Sequence, residues 1–323
     1  MRSLWHRAAR AARDPAGAAN KILRSVGLQS SIVASASAPD ASGSAPTDPG
    51  QAFQTYGRLA RAAGIDRLFL FLSFDCDTDE DIAAAAELDP WLRRLGVRTT
   101  YAVPGRQLEK GEATWRRLAE AGAIFMNHGG FPHAEWRGDR YHSITFYEQM
   151  AQDDVVTDIE EGDRCVRKVI GAAPRGFRAP HFGMYQRPDQ LGLVHATARR
   201  LGYAYCSTTV PSYALKYGPV VQLDGLVEIP CFGSWSAPET ILDSWTYLAD
   251  RRDYRLKDEY YELFAETVER MLAQQVPGVL VYYADPSHVL GQPPFRRAIE
   301  LAVARGVPSV TGDDLARGIG RAQ

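Results

Sequence analysis

Two aspartates stand two positions apart in Ser73-Phe74-Asp75-Cys76-Asp77, directly after an apolar run. On an extended chain that spacing points Asp75 and Asp77 to one face. Carboxylates so placed repel unless a cation or a proton separates them. Isolated, the pair reads equally well as an N-cap for the helix that follows Thr78. A second cluster changes the balance. His128 and His133 flank Gly129 and Gly130, and glycines let the backbone fold so that both rings converge. Two histidines and one carboxylate, with positions left open for water and substrate, is a ligand set of catalytic zinc and of non-haem iron. Arg178 ends a third apolar run, Phe177-Arg178-Ala179-Pro180-His181, and a guanidinium at that depth needs a buried anion, for which Asp75 is the candidate. A further run ends Tyr282-Tyr283-Ala284-Asp285-Pro286-Ser287-His288, again with polar groups just past its end. His195, His142 and His6 are assigned no role.

The elements that must position these residues alternate. Strand-length apolar runs at 67–75, 98–105, 123–128, 174–180, 203–208, 226–232 and 278–285 are separated by amphipathic segments of helical length, including 79–95, 113–121, 146–170, 191–201 and 259–274. The helix at 146–170 is expected to carry Asp158, Glu160, Glu161, Arg164 and Arg167 as a charge pattern on its exposed face. Thr311 is placed to cap a last short helix. This order predicts α/β architecture with about seven parallel strands, either a (β/α) barrel or a doubly wound sheet. In both, chemistry collects at the carboxyl ends of the strands, where the candidate residues lie.

The chain has 323 residues, 37 Lys and Arg against 39 Asp and Glu, and 45% hydrophobic residues. A net charge of −2 argues against a protein that grips nucleic acid through a basic face. No run approaches the ~20 apolar residues needed to cross a bilayer. Four scattered cysteines, Cys76, Cys165, Cys206 and Cys231, read as reduced thiols of a cytoplasmic protein. Residues 1–50 read as a basic tail and a Ser/Ala/Pro linker without a secretory signal, and residues 51–323 as one folded domain. The basic segment, with Leu4, Trp5, Ile22 and Leu23, could rest on anionic lipid, giving peripheral contact with a membrane; the alternative is a frayed tail.

In these motifs the chain resembles the polysaccharide deacetylase family, the NodB-homology group of carbohydrate esterases. SFDCD is similar to its first motif, NHGGFPH to its second, RAPHFG to its third, and LVYYADPSH holds the place of the last. The Asp-x-Asp form of the first motif resembles a subgroup that includes cyclic-amide hydrolases. The resemblance spans about 66–311 and implies a distorted (β/α) barrel. It makes Asp75 the general base, Asp77, His128 and His133 the ligands of a divalent metal, Zn2+ first, and Arg178 the group that holds Asp75. The developing oxyanion would meet the metal and a backbone N–H following the first motif. The family's Leu-x-Leu-His is replaced here by Val-Tyr-Tyr-Ala, so His288 is the proposed acid, with Tyr283 as fallback. Pro180, His181, Tyr283 and Trp245 are expected to contact substrate, and the segment 136–146 to shape the mouth of the cleft. The implied activity is removal of N-acetyl groups from an amino sugar of a surface polysaccharide or its precursor. Alternatives are hydrolysis of a cyclic amide or ureide, and a silent sugar-binding barrel.

Overall fold

The computed structural model describes residues 48–318. The expectations for the basic tail, and for most of the linker, lie outside the described residues. Helix α1 (Pro49–Ala62) begins at Asp48, whose side chain accepts the Gly50 N–H. Strand β1 (Leu68–Asp75) is buried along its whole length, as an unbroken apolar strand in a covered parallel sheet must be. Helix α2 (Asp79–Arg94) starts behind Thr78, whose N–H and hydroxyl both donate to Asp81. There follow β2 (Thr99–Val103), α3 (Gly105–Lys110), α4 (Glu112–Glu120) and β3 (Ile124–Asn127). A small hairpin, β4 (Ala134–Trp136) and β5 (Tyr141–Ser143), precedes α5 (Gln152–Ile170), β6 (Gly176–Arg178) and α6 (Pro188–Arg200). Then come β7 (Tyr205–Ser207), α7 (Pro211–Tyr217), β8 (Val221–Leu223) and β9 (Leu226–Glu228). A second hairpin, β10 (Leu248–Asp250) with β11 (Arg255–Leu256), leads to α8 (Asp258–Ala273), β12 (Gly278–Ala284), α9 (Pro286–Val289), α10 (Pro293–Ala304) and α11 (Gly312–Arg317). Thr311 caps α11 through a reciprocal pairing with Asp314.

Eight strands form one sheet in the order β12-β1-β2-β3-β6-β7-β9-β8. Seven are parallel, and β8 lies antiparallel on β9. After β9 the chain crosses toward the far end of that order. Cys231 donates to the Thr209 carbonyl and Phe232 donates to the Val281 carbonyl of β12 at 3.0 Å. Helix α1 lies over this seam. Its Phe53 stacks on Trp235 with centroids 4.5 Å apart, and Tyr56 packs against Phe232. The Tyr56 hydroxyl donates to the Val279 carbonyl and accepts the Val279 N–H. A Cβ at Gly278 would sit 2.3 Å from the Tyr56 ring, so this contact needs glycine there.

The expected strands and long helices are present, most of them a few residues shorter. Both hairpins and α7 lie in stretches without strong periodicity. The expectation for the exposed face of α5 needs correction at Asp158, which is fully buried. Glu160 and Glu161 do pair outward, with Arg200 and Arg164, while Arg167 pairs with Asp163. Asp158 instead faces the turn after β3. Among the described residues no helix is long and apolar enough to cross a membrane. All four cysteines are free and buried.

Candidate active site

The carboxyl ends of β1, β3, β6 and β12 bring the candidate residues together. Asp75, the last residue of β1, accepts from Arg178 Nη1 at 3.0 Å, while Arg178 Nη2 donates to Ser73 Oγ at 2.8 Å. The guanidinium is fully buried and lies near the rings of Phe182 and Tyr283, 4.8 and 5.2 Å from their centroids. Burial pushes the Asp75 carboxyl up, and the charges of Arg178 and His128 offset only part of that.

His128 Nδ1 lies 2.8 Å from the Arg178 backbone carbonyl. A carbonyl only accepts, so Nδ1 carries the proton and Nε2 keeps its lone pair. That Nε2 is 3.5 Å from Asp77 Oδ1 and 3.8 Å from Asp75 Oδ2. His133 places Nδ1 3.1 Å from the same Asp77 oxygen, and its Nε2 is buried with no partner. The two rings stand edge to face with centroids 4.4 Å apart. One ligand atom from each of Asp77, His128 and His133 lies within 4.8 Å of the others.

This donor set fits a divalent cation. Orphaned buried nitrogens are rare, and an imidazole whose second nitrogen is fixed by a carbonyl is how proteins prepare a metal ligand. The charge balance agrees. Burial alone would lower the His128 pKa, yet Asp75 and Asp77 raise it, so the spot between them favours positive charge. Burial would likewise raise Asp77, but His133 and His128 hold it well below the carboxylate range.

The turn carrying the histidines is held by Asp158. Its Oδ1 accepts the N–H groups of Gly130 and Phe131, and its Oδ2 accepts the Tyr147 hydroxyl at 2.7 Å. Gly129 has φ +80°, and a Cβ there would meet Asp158 Oδ2 at 2.2 Å. Asp158 with Gly129, Gly130, Phe131 and Tyr147 is a positioning system whose anchor sequence reasoning missed, because a carboxylate on an amphipathic helix reads as surface charge.

A cavity of about 350 Å³ opens onto this cluster. Asp75, Asp77, His133, His181, Trp245, Tyr283 and His288 line it, and His128 and Arg178 lie buried beside it. Pro180 is buried and is not part of the lining. His181 bonds the Ile144 carbonyl through Nε2 and stacks on Phe146, both in the segment after the first hairpin. His288 anchors Nδ1 near Ser244 Oγ (3.2 Å) and Asp285 Oδ2 (3.3 Å); burial pushes its pKa down to about 3. Asp285 stands at the N-cap position of α9 and is pushed well up by burial and by Asp81, Asp77 and Asp75. The amide after the first motif is not free for an oxyanion. Thr78 gives its N–H to Asp81, and Cys76 gives its own to the Ala102 carbonyl.

Residues 67–205 match the family model described as polysaccharide deacetylase. Over that span, somewhat under half of the chain, the sequence is similar to the polysaccharide deacetylase family. The family hydrolyses amide bonds, and the matched span carries Asp75, Asp77, His128, His133 and Arg178. No curated protein matches the chain. Among solved structures, one from Mycobacterium smegmatis described as a polysaccharide deacetylase aligns with TM-score 0.59 and 19% identity, over 78% of this chain and 90% of that one. Puue allantoinase aligns with TM-score 0.57 and 12% identity over 89% and 99%. A Pseudomonas aeruginosa PAO1 protein described as a polysaccharide deacetylase aligns with TM-score 0.55 and 11% identity over 82% and 94%. At these identities the likeness is one of fold, and it agrees with the mostly parallel eight-stranded sheet of this chain. Its His288 and Tyr283 lie beyond the matched span.

Proposed function

We propose that the chain is a metal-dependent N-deacetylase acting on an N-acetylated amino sugar. The observation that carries this reading is the convergence of one ligand atom each from Asp77, His128 and His133, within 4.8 Å of one another, beside Asp75, which is tied to a buried arginine. A divalent ion held by Asp77, His128 and His133 would polarise the acetamide carbonyl and lower the pKa of a water molecule. Asp75 accepts the proton of the attacking water. Arg178 occupies its Oδ1 and leaves Oδ2 as the basic oxygen. His288, fixed through Nδ1 and held neutral by burial, keeps a lone pair on Nε2, which has no protein partner among the described residues, so it would relay to the departing amine the proton that Asp75 takes from the water. Phe182 and Tyr283 cover the guanidinium and exclude water from the Asp75 pair, which strengthens it.

The test is metal content and acetate release measured together. Wild type should carry about one zinc or similar ion per chain and release acetate from N-acetylated sugars. Asp77→Ala and His128→Ala should lose the ion, whereas Asp75→Asn should keep it and lose at least about a hundredfold in kcat. A wild-type protein that takes up no ion after supplementation would sink this reading.

A further inference from the structure

The cavity is lined by four carboxylates, Asp75, Asp77, Asp243 and Asp285, and by a single Arg or Lys among the described residues, Arg251. Arg251 belongs to the turn between β10 and β11 and is exposed. Its guanidinium carbon stands 4.5 Å above the ring of Trp245, which also lines the cavity. The neighbouring Arg252 reaches Asp139 of the first hairpin at 3.9 Å, yet Arg251 forms no ion pair with any described residue. An aromatic face braces a guanidinium without using its N–H donors. So Arg251 is held in place and its fork remains available to an anion.

We propose that Arg251 reads a negative charge on the substrate, so that the sugar deacetylated here carries a phosphate or carboxylate substituent. This rests on the deacetylase reading above. The arrangement sorts the substrate by polarity. Arg251, the one Arg or Lys lining the cavity among the described residues, attracts the anion, which leaves the neutral acetamide to enter toward Asp75 and His133. Trp245, expected to contact substrate, lines the cavity and has one ring face covered by Arg251, so it also serves as the brace.

The experiment compares N-acetylglucosamine, its 1-phosphate and N-acetylmuramic acid on the zinc-loaded full chain, reading dissociation constants by calorimetry and kcat/KM by acetate release. Wild type should prefer at least one of the two charged sugars by about ten- to a hundredfold, the range of a charge-assisted hydrogen bond. That preference should fall as salt rises, and which charged sugar wins separates phosphate from carboxylate recognition. Arg251→Ala should collapse the ratio of charged to neutral sugar toward one, Arg251→Lys should retain part of it, and Arg252→Ala should retain all of it. A wild type with no preference in binding, or an Arg251→Ala protein that keeps the ratio, overturns the proposal. Charged-sugar binding that depends on Arg251 without acetate release keeps Arg251's assignment as an anion reader and overturns the deacetylase reading for these sugars. Acetate release with equal affinity for all three sugars does the reverse.

Discussion

Asp243 accepts from the N–H and hydroxyl of Thr246 and from Tyr283, but three neutral donors do not compensate its burial, and its pKa is pushed up to about 6. A carboxyl raised from 3.8 to about 6 binds its proton more tightly folded than unfolded. Its stabilising contribution is therefore complete below pH ~4 and is lost as pH rises through ~6, a change of about 3 kcal/mol at most. Asp243→Asn should match wild type in melting temperature near pH 4 and exceed it by about 5–10 °C at pH 7.5. Equal melting curves at pH 7.5 would refute it. Individual chemistry of this kind was partly legible in sequence. A buried arginine must find an anion, and the one acidic motif at a strand end was Asp75. Arg251 was not legible, because nothing in the spacing of 246–257 says which residue of an irregular stretch turns toward the cavity.

Element placement carries its own consequence at α5. Asp158 holds the β3 turn through Gly130 and Phe131, and Tyr147 completes its shell. Asp158→Ala leaves every metal ligand in place but frees the turn between them, so zinc affinity should fall about 10–100-fold, as when outer-shell partners are removed. A competition titration with a chromogenic chelator measures this, and unchanged affinity would refute it. A second buried carboxylate works the same way. Glu228 of β9 accepts from the N–H groups and hydroxyls of Thr208 and Thr209 and pairs with His195 at 3.0 Å. Burial would raise its pKa, and these donors lower it. Glu228→Ala should cost about 3–5 kcal/mol, read as a lower urea midpoint. Sequence assigned His195 no role, and its pairing with Glu228 could not be foreseen, because it joins a helix residue to a strand residue 33 positions away. Strands and long helices could be read because periodicity states which face is buried. The two hairpins could not, since three-residue strands offer no period to count.

Across the whole molecule, the segment after β9 hydrogen-bonds β12 through Phe232, and α1 lies over that seam. The seam was invisible in sequence: Phe53 and Tyr56 sit in a helix whose partners, Phe232, Trp235 and Val279, lie more than 170 positions away. The family match begins at residue 67, after this helix has ended. Anyone starting the gene where the recognised span starts would keep the candidate site and remove the cover from an aromatic strip. The expected result of starting at residue 64 is a product that self-associates at micromolar concentration, while a start at residue 46 stays monodisperse by light scattering. Where a domain is recognisable and where it can be cut are, in this chain, different addresses.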